Sequence, residues 1–339
     1  MVTSDYKYGL LLFRKDGSAL GSASVTPDWD PACESARFDH ARRGSIPLSG
    51  QGTASIEPLW DSTDGAPYMR GFRVAYAIDG HKVTSEFPSS YFNEAASRAS
   101  VELVNSGKLA ASETCLFQPV AFAKNGADKP RGGLELEVVE QEPELNLIES
   151  RLDDFRCRSS PAGMVDADDM PVFIPQRVLD EAAALTRASE GIETGGILIG
   201  HLHHDVTLPE IFVVVSAQVP VQHARGTVAK LTFTAETWSA ASAAIRLRNL
   251  AEIYIGWWHS HPVMEFCKDC TPEKQKTCHL AKDFFSEDDR AVMRAAFPRA
   301  HSVGLVANDT AFGLTWSMFG WRDGRIHPRG FYLLEEPHA

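Results

Sequence analysis

Residues 253–262 read IYIGWWHSHP, an apolar run that ends in two histidines and a proline. A continuous apolar run of this length, rich in β-branched and aromatic residues, is typical of a buried β-strand. Because residues i and i+2 of a strand face the same side, His259 and His261 are expected to project together. Pro262 is expected to end the strand. The stretch therefore predicts two neighbouring imidazoles at the rim of a sheet.

Two other stretches carry groups that suit the same chemistry. Glu193 precedes the sequence TGGILIG, which is expected to start a strand. Ser286 and Asp289 form a Ser-x-x-Asp pattern before an apolar-periodic run, which is typical of a helix cap. Taken singly, Glu193 is expected to be solvated and Ser286 to be a capping residue. Taken with the two histidines, they supply the ligands, hydroxyl and spare carboxylate that a catalytic zinc site requires.

In chain order, Glu-x-Gly-Gly, His-x-His-Pro and Ser-x-x-Asp resemble the JAMM motif of the MPN (JAB-type) zinc metalloproteases, which include deubiquitinase-like isopeptidases. The resemblance covers roughly residues 171–330. It implies a catalytic Zn²⁺ with water as the fourth ligand and three protein ligands: His259, His261 and Asp289. Glu193 would be the general base and later the acid, and Ser286 would stabilise the oxyanion of the tetrahedral intermediate.

Two pairs of residues beside the motif are expected to shape the site. Trp257 and Trp258 directly precede His259 and are expected to wall the substrate groove. Gly195 and Gly196 have no side chain beyond Cα, so their backbone can lie close to a substrate or to a neighbouring element of the fold.

One departure from the family pattern lies between the second histidine and the serine. Here 24 residues separate His261 from Ser286, far more than in the family's motif. The insert, residues 265–281, has the cysteine spacing of a structural zinc site, so a second Zn²⁺ is predicted. The candidate ligands are Cys267, Cys270, Cys278 and His279. Because the last two are adjacent in sequence, His301 or Cys157 is an alternative fourth ligand. A redox thiol pair and ordinary reduced cysteines remain open.

The order of expected elements predicts an α/β (α+β) protein. Residues 171–335 are expected to form a JAB/MPN-type mixed sheet flanked by helices. Residues 1–125 are expected to be a separate N-terminal α+β domain, with a hairpin around Asp79-Gly80, a helix from Ser89 or Ser90 to Gly107 and loops over 28–66. An acidic linker, 126–170, is expected between them. Within it, Pro130-Arg131-Gly132-Gly133 looks like the tail of a ubiquitin-like protein, although an ordinary Gly-rich linker is favoured.

Composition limits the partners and the location. The net charge is −12 and there is no long Lys/Arg block, which argues against nucleic acid and against an anionic membrane as partners. Residues 1–25 lack the pattern of a secretory signal, and the apolar runs are strand-sized. A cytoplasmic protein is expected.

The resemblance implies a zinc-dependent peptidase or isopeptidase that cleaves after the C-terminal Gly-Gly of a ubiquitin-like protein. The implied partners are that protein or its conjugates, together with E1/E2-like conjugating enzymes. Residues 1–125 are expected to bind a partner or the substrate. Three alternatives remain open: a JAB-family hydrolase of a sulfur-carrier protein or a small molecule, a non-catalytic MPN scaffold, and the RadC-like JAB relatives, which share His-x-His-Pro.

Overall fold

The computed structural model describes residues 2–50, 52–63, 66–124, 145–221, 225–227, 230–271, 273–274, 278 and 284–335. The chain divides into two compact units. The first comprises Met1–Glu144 and Asp323–Arg325, and the second comprises Leu145–Arg322 and Ile326–Ala339. In the part of the chain described here, no helix is both long enough and apolar enough to cross a bilayer.

The first unit is an α+β structure with two sheets. Its elements are β1 (Val2–Ser4), β2 (Tyr6–Arg14), β3 (Ala19–Val25), α1 (Asp30–Arg42), β4 (Gly52–Thr63), β5 (Ala66–Ile78), β6 (His81–Pro88), a 3-10 turn (Ser89–Phe92), α2 (Asn93–Asn105) and β7 (Cys115–Ala123). The sheet orders are β1-β4-β5-β6 and β3-β2-β7. Aromatic rings fill its core, among them Tyr8 and Phe72.

The predicted hairpin and helix of this unit are confirmed. Asp79 and Gly80 turn β5 into β6 with φ of 47° and 82°, the left-handed pair that a tight hairpin requires. The predicted loops over 28–66 are wrong, because this stretch contains α1 and β4. Helix α1 begins beside Pro31 and buries small side chains such as Ala32 and Ala36. Because the buried residues of α1 are mostly small, the helix shows only a weak apolar periodicity, and its sequence resembles that of a loop.

The second unit is built on a ten-stranded mixed sheet. Its elements are β8 (Leu147–Ser150), α3 (Leu152–Arg156), β9 (Ser159–Ala162), β10 (Val172–Pro175), α4 (Gln176–Ala188), β11 (Gly195–Asp205), β12 (Ile211–Pro220), β13 (Arg225–Thr227), β14 (Lys230–Thr232), α5 (Ala235–Arg248), β15 (Ile253–His261), α6 (Val263–Phe266), α7 (Glu287–Ala296), β16 (Val303–Thr310), β17 (Gly313–Arg322), β18 (Arg325–Arg329) and β19 (Phe331–Leu334). The strand order is β18-β17-β16-β15-β11-β12-β10-β19-β9, and β8 pairs with the second half of β11.

Helices cover both faces of this sheet. Trp257 of β15 packs in one apolar cluster with Ala241 of α5 and Met293 of α7. Its neighbour Trp258 points to the opposite face, where Gln218 bonds to both Trp258 and Glu181 of α4. The predicted architecture, a mixed sheet flanked by helices with a separate N-terminal α+β unit, is therefore confirmed.

The predicted linker over 126–170 is wrong in its second part. Residues 125–144, with the segment Pro130–Gly133, lie outside the described residues. From Leu145 onward the chain belongs to the second unit, because β8 runs parallel to β11 and β9 runs antiparallel to β19. The acidic composition suggested a solvated connector. The partners that order this segment are distant in sequence, and so the composition could not reveal them.

Asp205, at the end of β11, holds this segment in place. Its carboxylate accepts hydrogen bonds from the backbone N–H of Leu152 at 2.5 Å, of Thr207 at 2.6 Å and of Leu208 at 2.8 Å, and from the Thr207 hydroxyl at 2.6 Å. Burial opposes its negative charge, but these bonds hold the pKa of Asp205 well below its usual range. The side chain thus ties α3 to the sheet.

Substitution Asp205→Asn should destabilise the second unit. The amide has one acceptor oxygen where the carboxylate has two, so the buried Leu152 N–H, which donates to Oδ2, loses its partner at a cost of ~1–3 kcal/mol. Urea unfolding at pH 7 measures this loss. Since the carboxylate has a lowered pKa, its stabilisation exists above the unfolded-state value near ~4 and disappears as the pH falls further. The exposed Asp153→Asn is the matched control, and equal stability of the two variants would contradict the assignment.

Candidate metal centre

Strand β15 presents both histidines of the motif, as the sequence predicted. It pairs antiparallel with β11, where Gly195 is opposite His259, and parallel with β16, where Asn308 is opposite His261. The strand ends at His261, immediately before Pro262. The two Nε2 atoms lie 2.9 Å apart. His259 and His261 are 1% and 3% exposed. They are therefore more deeply buried than expected for residues at the rim of a sheet.

Asp289 reaches the histidines from the first turn of α7. Its Oδ1 lies 3.2 Å from His259 Nε2, and its Oδ2 lies 3.7 Å from His261 Nε2. The helix cap predicted for Ser286 is also present: Asp289 N donates to Ser286 Oγ at 3.1 Å, and Ser286 N donates to Asp289 Oδ2 at 2.7 Å. Burial opposes the charge of Asp289, but His259, His261 and the Ser286 N–H together lower its pKa. The capping box thus fixes a charged carboxylate beside two imidazoles.

These three side chains fit a metal ion. Their ligand atoms all lie within 4.8 Å of one another. A tetrahedral zinc with bonds of ~2.1 Å keeps its nitrogen and oxygen ligands ~3.4 Å apart, and the three measured distances bracket that spacing. Burial lowers the pKa of His261, which favours the neutral imidazole that a metal requires. Two histidines and a carboxylate are a donor set that suits Zn²⁺.

Glu193 lies beside this group at the entrance to β11. The segment is pinned to β15, because Thr194 N donates to Ser260 Oγ at 3.0 Å and Ser260 N donates to Thr194 O at 2.8 Å. The side chain is 8% exposed, so the expectation of a solvated residue is wrong. Burial raises the pKa of Glu193 to about 7, His259 opposes the shift, and Asp289 adds to it. A carboxyl with this pKa can accept and return a proton near neutral pH.

Gly196 serves the packing of the sheet. A Cβ at this position would lie 2.4 Å from Trp258 Nε1 and 2.8 Å from both Gln218 Oε1 and the Val219 carbonyl. Of the two explanations for this glycine, the structure supports the close approach of a neighbouring element. The glycine lets Trp258 pack under the strand that follows Glu193.

The groove role predicted for Trp257 and Trp258 is wrong. Their side chains are 1% and 0% exposed. Trp257 stacks on the His259 ring at a centroid distance of 4.4 Å and an interplanar angle of 9°. The Trp258 indole N–H donates to Gln218 Oε1 at 3.2 Å. Both indoles therefore support the histidine strand from the inside, because the strand is covered on both faces.

Asn308 lies beside the candidate site, and the sequence did not indicate it. It is fully buried opposite His261 on β16, and its Nδ2 donates to Ser317 Oγ at 3.1 Å. Its Oδ1 and the Nδ1 of His261 are both buried with no hydrogen-bond partner among the described residues. The amide nevertheless lies close enough to raise the pKa of His261 against the effect of burial. The available signal was a polar residue directly after the apolar run 303–307, but only the pairing of β15 with β16 shows that it lies opposite His261.

The structure describes three of the four predicted ligands in the insert. Cys267 is buried, while Cys270 and Cys278 are half-buried. His279 lies outside the described residues. Of the alternatives, His301 is buried just before β16. Cys157 is exposed, and its thiol bonds to the Asp154 carbonyl of its own helix.

Comparison with known proteins supports a JAB-type domain here. Residues 175–266 match the family model described as prokaryotic homologs of the JAB domain, a range that includes Glu193 and both histidines. Among solved structures, the chain is similar to protein DSY2949 from Desulfitobacterium hafniense, with 17% identity and a TM-score of 0.35 over 50% of this chain and 99% of that one. No curated protein matches the chain. The family match supports a JAB-type domain over residues 175–266.

Substitution Ser260→Ala should loosen the segment that carries Glu193. It removes the acceptor of the Thr194 N–H, at a cost of ~1–3 kcal/mol for a buried unsatisfied donor. We expect faster hydrogen exchange at the Thr194 amide. Ser189→Ala is the control. The Ser189 hydroxyl lies five residues before Thr194 in the chain and donates to the Thr186 carbonyl. An unchanged exchange rate at Thr194 in Ser260→Ala would show that the Ser260 hydroxyl does not hold this segment.

Proposed function

We propose that the second unit is a zinc-dependent peptidase or isopeptidase of the JAMM type. The observation that carries the proposal is the convergence of His259, His261 and Asp289 beside the buried carboxyl of Glu193. Three ligands with a proton acceptor next to them are the set that hydrolytic zinc sites use. The match of residues 175–266 to JAB homologs and the order of the motif add to the support.

Each residue then has a separate task. His259, His261 and Asp289 would hold the metal. Bound there, Zn²⁺ would supply a Lewis acid that polarises the scissile carbonyl and lowers the pKa of the attacking water. Glu193 takes the proton of that water and gives it to the leaving amine, which its raised pKa allows.

Ser286 stabilises the oxygen that becomes negative during attack. Its Oγ already accepts the Asp289 N–H, so the oxygen is held in place and its own proton remains available for donation. A hydrogen-bond donor held at this position lowers the energy of the tetrahedral intermediate.

The proposed substrate is the C-terminal Gly-Gly tail of a ubiquitin-like protein, cleaved from a lysine or from an extension. The four central residues are at most 9% exposed: Glu193, His259, His261 and Asp289. Such an enclosed site admits a slender segment, and glycine is the residue whose backbone can pass closest to other atoms. In this scheme the first unit binds the ubiquitin-like protein, its conjugate or an E1/E2-like enzyme.

A sulfur-carrier protein with the same tail is the second candidate substrate, because the same enclosure would accept it. Small-molecule hydrolysis and a binding scaffold are weaker alternatives. A scaffold has no use for a buried carboxyl with a pKa near neutrality, and burying it lowers stability.

Cleavage of a panel of ubiquitin-like and sulfur-carrier proteins with C-terminal extensions tests the proposal. Zinc-loaded wild type should cleave after Gly-Gly. Glu193→Gln should lower kcat/KM by ~10²–10⁴-fold with bound zinc unchanged, because only proton transfer is lost. Glu190→Gln is the matched control, since Glu190 is exposed in the same segment. Equal rates for wild type and Glu193→Gln, or no cleavage of any panel member, would contradict the proposed reaction.

Asn308 should position His261 for metal binding. The Asn308 amide interacts with the His261 imidazole and raises its pKa. Losing a side chain that holds a metal-ligating imidazole typically weakens metal affinity ~10–100-fold. We expect Asn308→Ala to weaken zinc binding by that factor in a chelator competition, and Asn308→Asp to restore part of it. Thr310→Ala, on the same strand, should bind as wild type does. Unaltered affinity in Asn308→Ala would remove this residue from the site.

A further inference from the structure

The insert that follows the histidine strand begins with a tightly held turn. Phe266 N donates to the Pro262 carbonyl at 3.2 Å, and Cys267 N donates to the Val263 carbonyl at 2.9 Å. Val263 and Cys267 are both 3% exposed. The first cysteine of the insert is therefore anchored one helical turn beyond the end of β15.

A second turn links the first two cysteines. Cys270 N donates to the Cys267 carbonyl at 2.9 Å, which closes the C-x-x-C segment on itself. This spacing is the one that places two thiols on a common metal in structural zinc sites. A backbone hydrogen bond thus forms this turn, and the turn does not require a metal ion or a disulfide.

The third cysteine comes from a distant part of the insert. Cys278 Sγ lies 3.4 Å from Cys267 Sγ, across eleven positions of sequence. A disulfide needs ~2.05 Å between the sulfurs, whereas thiolates bonded to one zinc at ~2.3 Å lie ~3.8 Å apart. The Cys270 thiol also interacts with the Cys267 thiol. The Cys267 thiol therefore interacts with the thiols of both other cysteines.

We infer that Cys267, Cys270 and Cys278 hold a second metal ion, Zn²⁺, at a site separate from the histidine and aspartate group. Soft thiolates select zinc over hard cations such as Mg²⁺ and Ca²⁺. A tetrahedral zinc takes one further donor, so three cysteines are a nearly complete structural set. This inference is independent of the proposed cleavage, because it concerns a different set of ligands.

The consequence for the molecule is structural. Metal binding would join the two ends of the segment 267–278 at a point one turn from the last histidine of β15. Closing this loop restricts the unfolded chain and fixes the insert beside the end of the sheet. The ion would thereby stabilise the approach to the histidine site without taking part in chemistry.

Thiol protection in the full-length wild-type protein is the first measurement. With zinc bound, Cys267, Cys270 and Cys278 should resist alkylation by iodoacetamide, mapped by mass spectrometry, and should react together after a chelator is added. The exposed Cys157 is the internal control and should react in both states. Cys267, Cys270 and Cys278 reacting as readily as Cys157 in the zinc-loaded protein would overturn the inference.

Metal counting separates the two sites. We expect two zinc ions per chain in wild type and in the control Cys115→Ser, and one in Cys267→Ser/Cys270→Ser. His259→Ala/His261→Ala should also keep one ion, and with Co²⁺ that ion should show thiolate charge-transfer absorption. One ion in wild type that persists in the double cysteine variant overturns the inference. A Cys267–Cys278 disulfide in the isolated protein does so as well. Loss of cleavage with both ions present would instead count against the proposed function alone.

Discussion

Strand β15 is hydrogen-bonded on both sides, antiparallel to β11 and parallel to β16, and the rest of the site depends on that double pairing. The pairing with β11 brings Glu193 to the histidine strand, since the Ser260 hydroxyl and N–H both bond to Thr194. The pairing with β16 puts Asn308 opposite His261. A one-residue slip in either register would turn both imidazoles to the other face of the sheet. The tight packing of Gly196 against Trp258 helps to prevent such a slip.

The two carboxyl groups of the site have opposite electrostatic environments. Asp289 sits against two imidazoles and the first N–H groups of a helix, and its pKa falls. Glu193 is also buried, but only His259 favours its negative charge, while Asp289 opposes it. Its pKa therefore rises to about 7. Environments that push two carboxyl pKa values apart allow one group to stay charged as a ligand while the other exchanges protons. The proposed division of roles between ligand and base follows from this difference.

Burial of so many polar groups in one place needs a compensating charge. His259, His261, Asp289 and Glu193 are all at most 9% exposed, and both imidazole Nδ1 atoms lack a hydrogen-bond partner within the described residues. Buried polar groups without partners lower stability by ~1–3 kcal/mol each. A cation that accepts the two Nε2 lone pairs and the carboxylate would offset part of this cost, because it would replace the 2.9 Å contact between the two Nε2 atoms with bonds to the metal. The folded state and metal binding are thus expected to be coupled.

The sequence by itself determined the histidine strand, the capped helix of Asp289, the hairpin at Asp79-Gly80 and the mixed architecture, because these follow from local periodicity, turn chemistry and motif spacing. It did not determine that residues 145–170 form part of the second unit, that Trp257 is buried or that Asn308 lies opposite His261. Each of these depends on strand register and on contacts between residues far apart in the chain. Composition is a local quantity, so it predicted loops over 28–66 and a linker over 126–170. Long-range pairing makes strands and helices of 28–66 and of 145–170. Only the tertiary structure brings Glu193, His261 and Asp289 into one buried group, and that burial sets their pKa values.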